Sequence, residues 1–118
     1  MNEAQLYSDG IKAFNDGKFF LAHEILESLY HTQSGGKREF TQGLIQIAVA
    51  FYHLERDNKV GAAKLFKRGL PRIKENNCYC SEYDVTLVIE CVDNLIIQLS
   101  QNDEIKFSLP SIALFLNE

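Results

Sequence analysis

Two short runs in this chain carry side chains of the kinds that bind ligands and move protons. Residues 23–30 read His-Glu-Ile-Leu-Glu-Ser-Leu-Tyr, and residues 42–53 set Gln42, Gln46 and His53 among apolar neighbours. Positions four and seven apart share one helical face, so His23, Glu27 and Tyr30 should align. At 100° per residue, Gln42, Gln46 and His53 fall within about 40° of one another. An imidazole beside a carboxylate can act as a general base. With amides and a phenol it can equally form a self-satisfied buried network that only fixes helix register. The structural reading comes first: a His/Glu/Gln network between two packed helices.

A ligand site is the alternative. His23 and Glu27 can grip one ion, with His53 as a third ligand from a facing helix. The string His23-Glu24-x-x-Glu27 is not the H-E-x-x-H of zinc peptidases, because Glu27 stands where the second histidine belongs. Gln46 is a poor zinc ligand, and neither G-x-S-x-G nor a phosphate loop is present. The cofactor is therefore left unknown, and so is any catalytic residue. The alternative is a small-molecule or metal site, hydrolytic at its furthest, around His23, Glu27, Gln46 and His53.

These side chains need rigid elements to hold them, and the hydrophobic pattern supplies helices almost throughout. Five are expected, at about 3–15, 18–32, 38–56, 60–76 and 83–101. Asp16-Gly17, Ser34-Gly35-Gly36 and Asp57-Asn58 are the breaks. The third is apolar on nearly every side from Leu44 to Leu54, as befits a central helix. Pro71 should kink or shorten the fourth. The fifth has a stripe of Val85, Val88, Val92, Leu95, Ile96 and Leu99, with Leu87 and Ile97 off it. The tail from Ile105 carries Phe107, Leu109, Ile112, Leu114, Phe115 and Leu116, and Pro110 could open a last helical turn. Covering the chain's own core is its expected role, with a homodimer interface as the alternative.

A weak repeat is visible. Phe14-Asn-Asp-Gly17-Lys18 precedes Phe19, Phe20 and Ala22; about forty residues on, Glu55-Arg-Asp-Asn58-Lys59 precedes Val60, Gly61 and Ala63. Two helix–turn–helix units with an early small residue look like tetratricopeptide hairpins, but two are too few for a solenoid. The expected fold is all-α: a compact bundle of about five helices built from two such hairpins, in one domain over 1–118.

Composition narrows the function classes. The chain has 118 residues, 46% hydrophobic and 24% charged, as in ordinary globular domains. A net charge of −4 disfavours nucleic acid and anionic membranes. The exception is the fourth helix, where Lys59, Lys64, Lys67, Arg68, Arg72 and Lys74 make half of the 12 basic residues. No aromatic is interleaved on that face, so a solvated surface is expected. Cys78, Cys80 and Cys91 are odd in number and do not read as a disulfide framework. Cys91 is expected in the core, and His31 exposed near a helix end. With no signal or membrane-spanning pattern in the sequence, the cytoplasm is the expected location.

Three strings also carry a family resemblance: Phe14-Asn-Asp-Gly-Lys-Phe-Phe-Leu-Ala-His-Glu-Ile-Leu-Glu27, Gln42-Gly-Leu-Ile-Gln46-Ile-Ala-Val-Ala-Phe-Tyr-His53 and Asn58-Lys-Val-Gly61-Ala62. In order and spacing they resemble domain-of-unknown-function family 309 over about residues 10–75; the segment 83–118 matches less clearly. The resemblance implies a compact helical bundle, with His23, Glu24, Glu27, Gln42, Gly43, Gln46, His53 and Gly61 as characteristic positions. Tyr30 stands where the family usually has Trp, a smaller ring with a polar tip. No activity comes with the family. The expected function is a binding or scaffold module, its partner a protein or a small ligand.

Overall fold

A computed structural model describes residues 2–79, 82–101 and 104–114. The helices are α1 (Glu3–Asn15), α2 (Phe19–Tyr30), α3 (Gly35–Glu55), α4 (Lys59–Asn76) and α5 (Thr86–Ser100). A short 3-10 turn, Asn77–Tyr79, follows α4. Two residue pairs, β1 (Tyr83–Asp84) and β2 (Ala113–Leu114), form a small antiparallel ladder, with Tyr83 opposite Leu114. The fold is an all-α bundle in which α1, α2, α3 and α4 pack in chain order and α5 lies on α4.

The two hairpin turns are the same structure. At the end of α1, the Lys18 N–H donates to the Ala13 carbonyl and the Gly17 N–H to that of Phe14. At the end of α3, Asn58 donates to His53 and Asp57 to Leu54. This six-to-one plus five-to-two pattern is the Schellman motif. It needs a left-handed residue, filled by Gly17 at φ 76° and by Asp57 at φ 58°. The repeat thus aligns Gly17 with Asp57 and Ala22 with the equally buried Ala62, one residue from the expected pairing with Asn58 and Ala63. Asn58 instead caps α4, its side chain accepting the Gly61 N–H at 3.0 Å.

α3 is the central helix, with Phe40, Leu44, Ile47, Ala48, Ala50 and Phe51 all fully buried. Phe51 is the hub of the aromatic core. Its ring lies 5.8 Å from Phe14, 5.1 Å from Phe19 and 5.0 Å from Phe66, so one side chain joins four helices. α3 and α4 cross at Gly43 and Gly69. A Cβ at Gly43 would sit 3.0 Å from the Gly69 carbonyl oxygen, and one at Gly69 would sit 2.9 Å from that of Gly43. Backbone meets backbone there, and neither can yield as a side-chain tip would.

Some expectations are corrected. α3 begins at Gly35 rather than Arg38, because Ser34 is an extended N-cap and Gly35, at φ 65°, turns the chain directly into the helix. α4 is not shortened at Pro71 and reaches Asn76. α5 starts at Thr86, since Tyr83 and Asp84 are used by the ladder. Asp84 also accepts the Thr86 N–H at 2.9 Å, and bonding from the Thr86 side chain and backbone holds its carboxyl below the usual range.

Pro110 opens no helical turn; the tail is neither helix nor strand from 104 to 112. Its polar backbone is satisfied by side-chain amides instead. Asn15 donates to the Ile112 carbonyl and accepts its N–H, both at 2.8 Å. Gln98 brackets Lys106 in the same way. Ile112 is buried, and Phe107 lies 5.6 Å from Phe51. Phe115 and Leu116, also expected to dock, lie outside the described residues. Cys91 is half-buried against this tail, and burial pushes its thiol pKa up, whereas Cys78 is exposed.

Gly43→Ala tests the crossing. Alanine favours an exposed helix interior over glycine by about 1 kcal/mol, but here overpacking should invert the sign and cost about 1–3 kcal/mol in denaturant unfolding. At the turns, Gly17→Ala should cost about 1 kcal/mol, while Asp57→Gly should gain a fraction of that in the same assay.

Candidate functional site

α2 and α3 run antiparallel. Phe19 meets Phe51 and Phe20 meets Tyr52 at one end, while Arg38 lies over Tyr30 at the other. Between them is an open recess of about 290 Å³ lined by His23, Glu27 and Tyr30 from α2, by Gln42, Ile45, Gln46 and Val49 from α3, and by Leu65 from α4. Five of the residues singled out by helical spacing therefore share one concavity.

The inner faces of both helices explain this. Phe19, Ala22, Leu26 and Leu29 go into the core, which leaves His23, Glu27 and Tyr30 along the border of that face. On α3, Gln42 and Gln46 flank the Gly43 crossing and lie half-buried. His23 Nε2 is 3.0 Å from Glu27 Oε2. The carboxylate can only accept, so Nε2 carries a proton, and the ring's other nitrogen is Nδ1. That Nδ1 is buried and has no hydrogen-bond partner among the described residues. An unmet buried donor or acceptor costs about 1–3 kcal/mol. The ring itself is 27% exposed and the Glu27 side chain 50%.

No hydrogen bond crosses the recess from either glutamine to His23 or Glu27 among the described residues. Gln46 is held from the other side. The Arg72 guanidinium donates from Nη1 to Gln46 Oε1 at 3.0 Å and from Nε to Glu39 at 3.3 Å. With its oxygen occupied, Gln46 offers its NH₂ group as a donor. Tyr30 is fixed by the Arg38 guanidinium, 4.2 Å from the ring centroid.

Two of the expected residues lie elsewhere. Glu24 is exposed, and its carbonyl accepts from Ser28. His53 lies in the last turn of α3, against the α3–α4 connection. Asn58 Oδ1 is taken by Gly61, so its Nδ2 donates to His53 Nδ1 at 3.3 Å. Among the described residues no three His, Cys, Asp or Glu side chains come together as a metal site. His53 is therefore not a third ligand beside His23 and Glu27.

Arg72, Ile45, Val49 and Leu65 were not anticipated in the site. The two glycines held the signal for Arg72. It lies one turn past Gly69, and its Cβ is 3.0 Å from where a Cβ on Gly43 would be. Of the other basic residues on α4, Lys74 pairs with Asp93 at 3.3 Å. No helix among the described residues is long and apolar enough to cross a membrane.

Residues 7–65 match the family model described as Domain of unknown function (DUF309), and the chain belongs to that family. No curated protein matches the sequence.

His53→Ala separates turn from recess. It should lower stability by about 0.5–1.5 kcal/mol through the lost Asn58 bond, yet leave the His23 and Tyr30 NMR resonances in place. Movement of those resonances would show that His53 does act on the recess.

Proposed function

We propose that this member of the DUF309 family is a binding module whose recess between α2 and α3 takes a small polar ligand. The observation that carries the reading is His23 Nδ1, a buried ring nitrogen left unmatched beside a hydrogen-bonded, half-exposed Glu27. Native interiors rarely leave such a group unmet, and ligand sites are a place where they do.

The lining describes its ligand. Glu27 accepts, the Gln46 NH₂ donates, and the Tyr30 hydroxyl and Gln42 amide can do either. Ile45, Val49 and Leu65 supply an apolar floor. A molecule with both donors and acceptors on a short apolar body fits this mixture, such as a primary amide, a polyol or an amino acid. The Arg72–Gln46 bond presets one donor, which lowers the ordering cost of binding. Two helical hairpins, tetratricopeptide-like in plan, act as the scaffold. We place the protein in the cytoplasm, where thiols such as Cys78 and Cys91 stay reduced.

A hydrolytic metal site is the weaker reading. It needed His53 as a ligand, and His53 is engaged with Asn58. His23 and Glu27 alone are too few for a zinc site.

The test follows the His23 imidazole nitrogens by NMR during titration with small amides, polyols and amino acids. One class should move them saturably. Glu27→Gln should weaken that binding about tenfold, while the unfolding free energy changes by no more than about 0.5 kcal/mol. Imidazole signals that stay still with every class, or binding indifferent to Glu27→Gln, would refute the assignment.

A further inference from the structure

A second open cavity, sharing no lining residue with the first recess, lies where the start of α1, the α2–α3 connection and residues Tyr79 and Glu82 meet. It measures about 260 Å³ and is lined by Glu3, Ala4, Tyr7, Gln33, Lys37, Tyr79 and Glu82. At about 30 Å³ per water-sized atom, that is room for roughly nine non-hydrogen atoms.

The walls are built rather than incidental. Thr41 is fully buried, and its hydroxyl donates to Gln33 Oε1 at 2.6 Å. Gln33 Nε2 in turn donates to Glu3 Oε1 at 3.1 Å. A chain of hydrogen bonds anchored in the core thus orients the Glu3 carboxylate. Tyr7 stacks on Tyr83 at 4.7 Å, which holds its ring in place. Tyr79 lies on the backbone of Gly36, so close that a Cβ there would come within 2.2 Å of the ring. That seat holds a ring which is otherwise half-exposed. Neither Glu82 nor Lys37 is ion-paired among the described residues.

Two aromatic rings with two carboxylates are the usual surroundings of an organic cation, which the ring faces and the negative charges attract together. Lys37 adds a single positive group to the same cavity. We propose that this cavity binds a small zwitterion, its alkylated ammonium group held by Tyr7, Tyr79, Glu3 and Glu82 and its carboxylate by Lys37. The site is independent of the α2–α3 recess and stands whether or not that recess binds anything.

Glycine betaine, choline and acetate serve as probes, titrated into the full chain while the Tyr79 ring protons are followed by NMR. Betaine should saturate the signal and bind more tightly than choline, and acetate should leave it still. Tyr79→Leu and Glu82→Gln should each weaken betaine by about twofold to fivefold. Lys37→Gln should erase the preference of betaine over choline. Glu82 and Lys37 are exposed, so these two variants report on binding even if Tyr79→Leu disturbs the fold. Lack of saturation by betaine overturns the site. So does choline binding as tightly as betaine, or affinity that ignores Glu82→Gln.

Discussion

The backbone contact between Gly43 and Gly69 sets the positions of most other parts. Two helices can touch main chain to main chain only where neither has a side chain in the way. With the crossing fixed, the residues beside it lose their freedom. Gln42 and Gln46 cannot turn inward, because Ile47 and Ile73 fill the space around the glycines. They go to the edge of α3 that faces α2. Arg72, one turn beyond Gly69, reaches Gln46 and Glu39 from the other helix. The recess is thus a by-product of close packing: its polar lining sits where the tightly joined pair α3–α4 meets the next helix. Phe51 secures the far end of the same arrangement, since a ring touching Phe14, Phe19 and Phe66 keeps α1 and α2 from sliding along α3.

Much of the fold was legible because the sequence is consistent at several levels. Hydrophobic spacing of 3.6 residues, Gly17 and Asp57-Asn58 as breaks, and an α3 apolar on most sides all point to one bundle. The errors came from local signals that context overruled. Ser34-Gly35-Gly36 has the composition of a loop, yet a left-handed Gly35 can start a helix at once. Pro110 permits a helical turn, yet the tail gains more by staying out of helix. There Asn15 and Gln98 each satisfy one residue's donor and acceptor, and Ile112 is buried. A side-chain amide that mimics a neighbouring strand leaves no periodic trace in a sequence.

The repeat teaches a finer lesson. Its two halves were visible, but the register was one residue off, because Asp16 and Asp57 look alike as letters. Hydrogen bonding decides differently. The left-handed position is Gly17 in one turn and Asp57 in the other, and only in the second does an asparagine follow as a cap. Asp tolerates this backbone better than most residues other than glycine. The forty-residue offset holds for the Schellman bonds of the two turns and for the paired Ala22 and Ala62, though few other side chains repeat.

The candidate site was legible in angle but not in depth. Gln42 and His53 point within about 20° of each other on a helical wheel, yet eleven residues separate them by about 16 Å along the axis. α2 is too short to follow. In the antiparallel pair its polar row ends at His23, while Phe19 and Phe20 sit at the level of Phe51 and Tyr52. His53 therefore passes beyond the row and finds Asn58 in the turn. A wheel projects rise away, and antiparallel neighbours must match in rise as well as angle. Had His53 lain one turn earlier, it would have faced the recess beside His23, as Val49 does. As it is, the His23 imidazole is oriented by Glu27 on one nitrogen and unsatisfied on the other. A purely structural network gains nothing from that arrangement, since each unmet buried donor or acceptor lowers stability. The proposed binding role would gain from it, because the orientation would be settled before a ligand arrived.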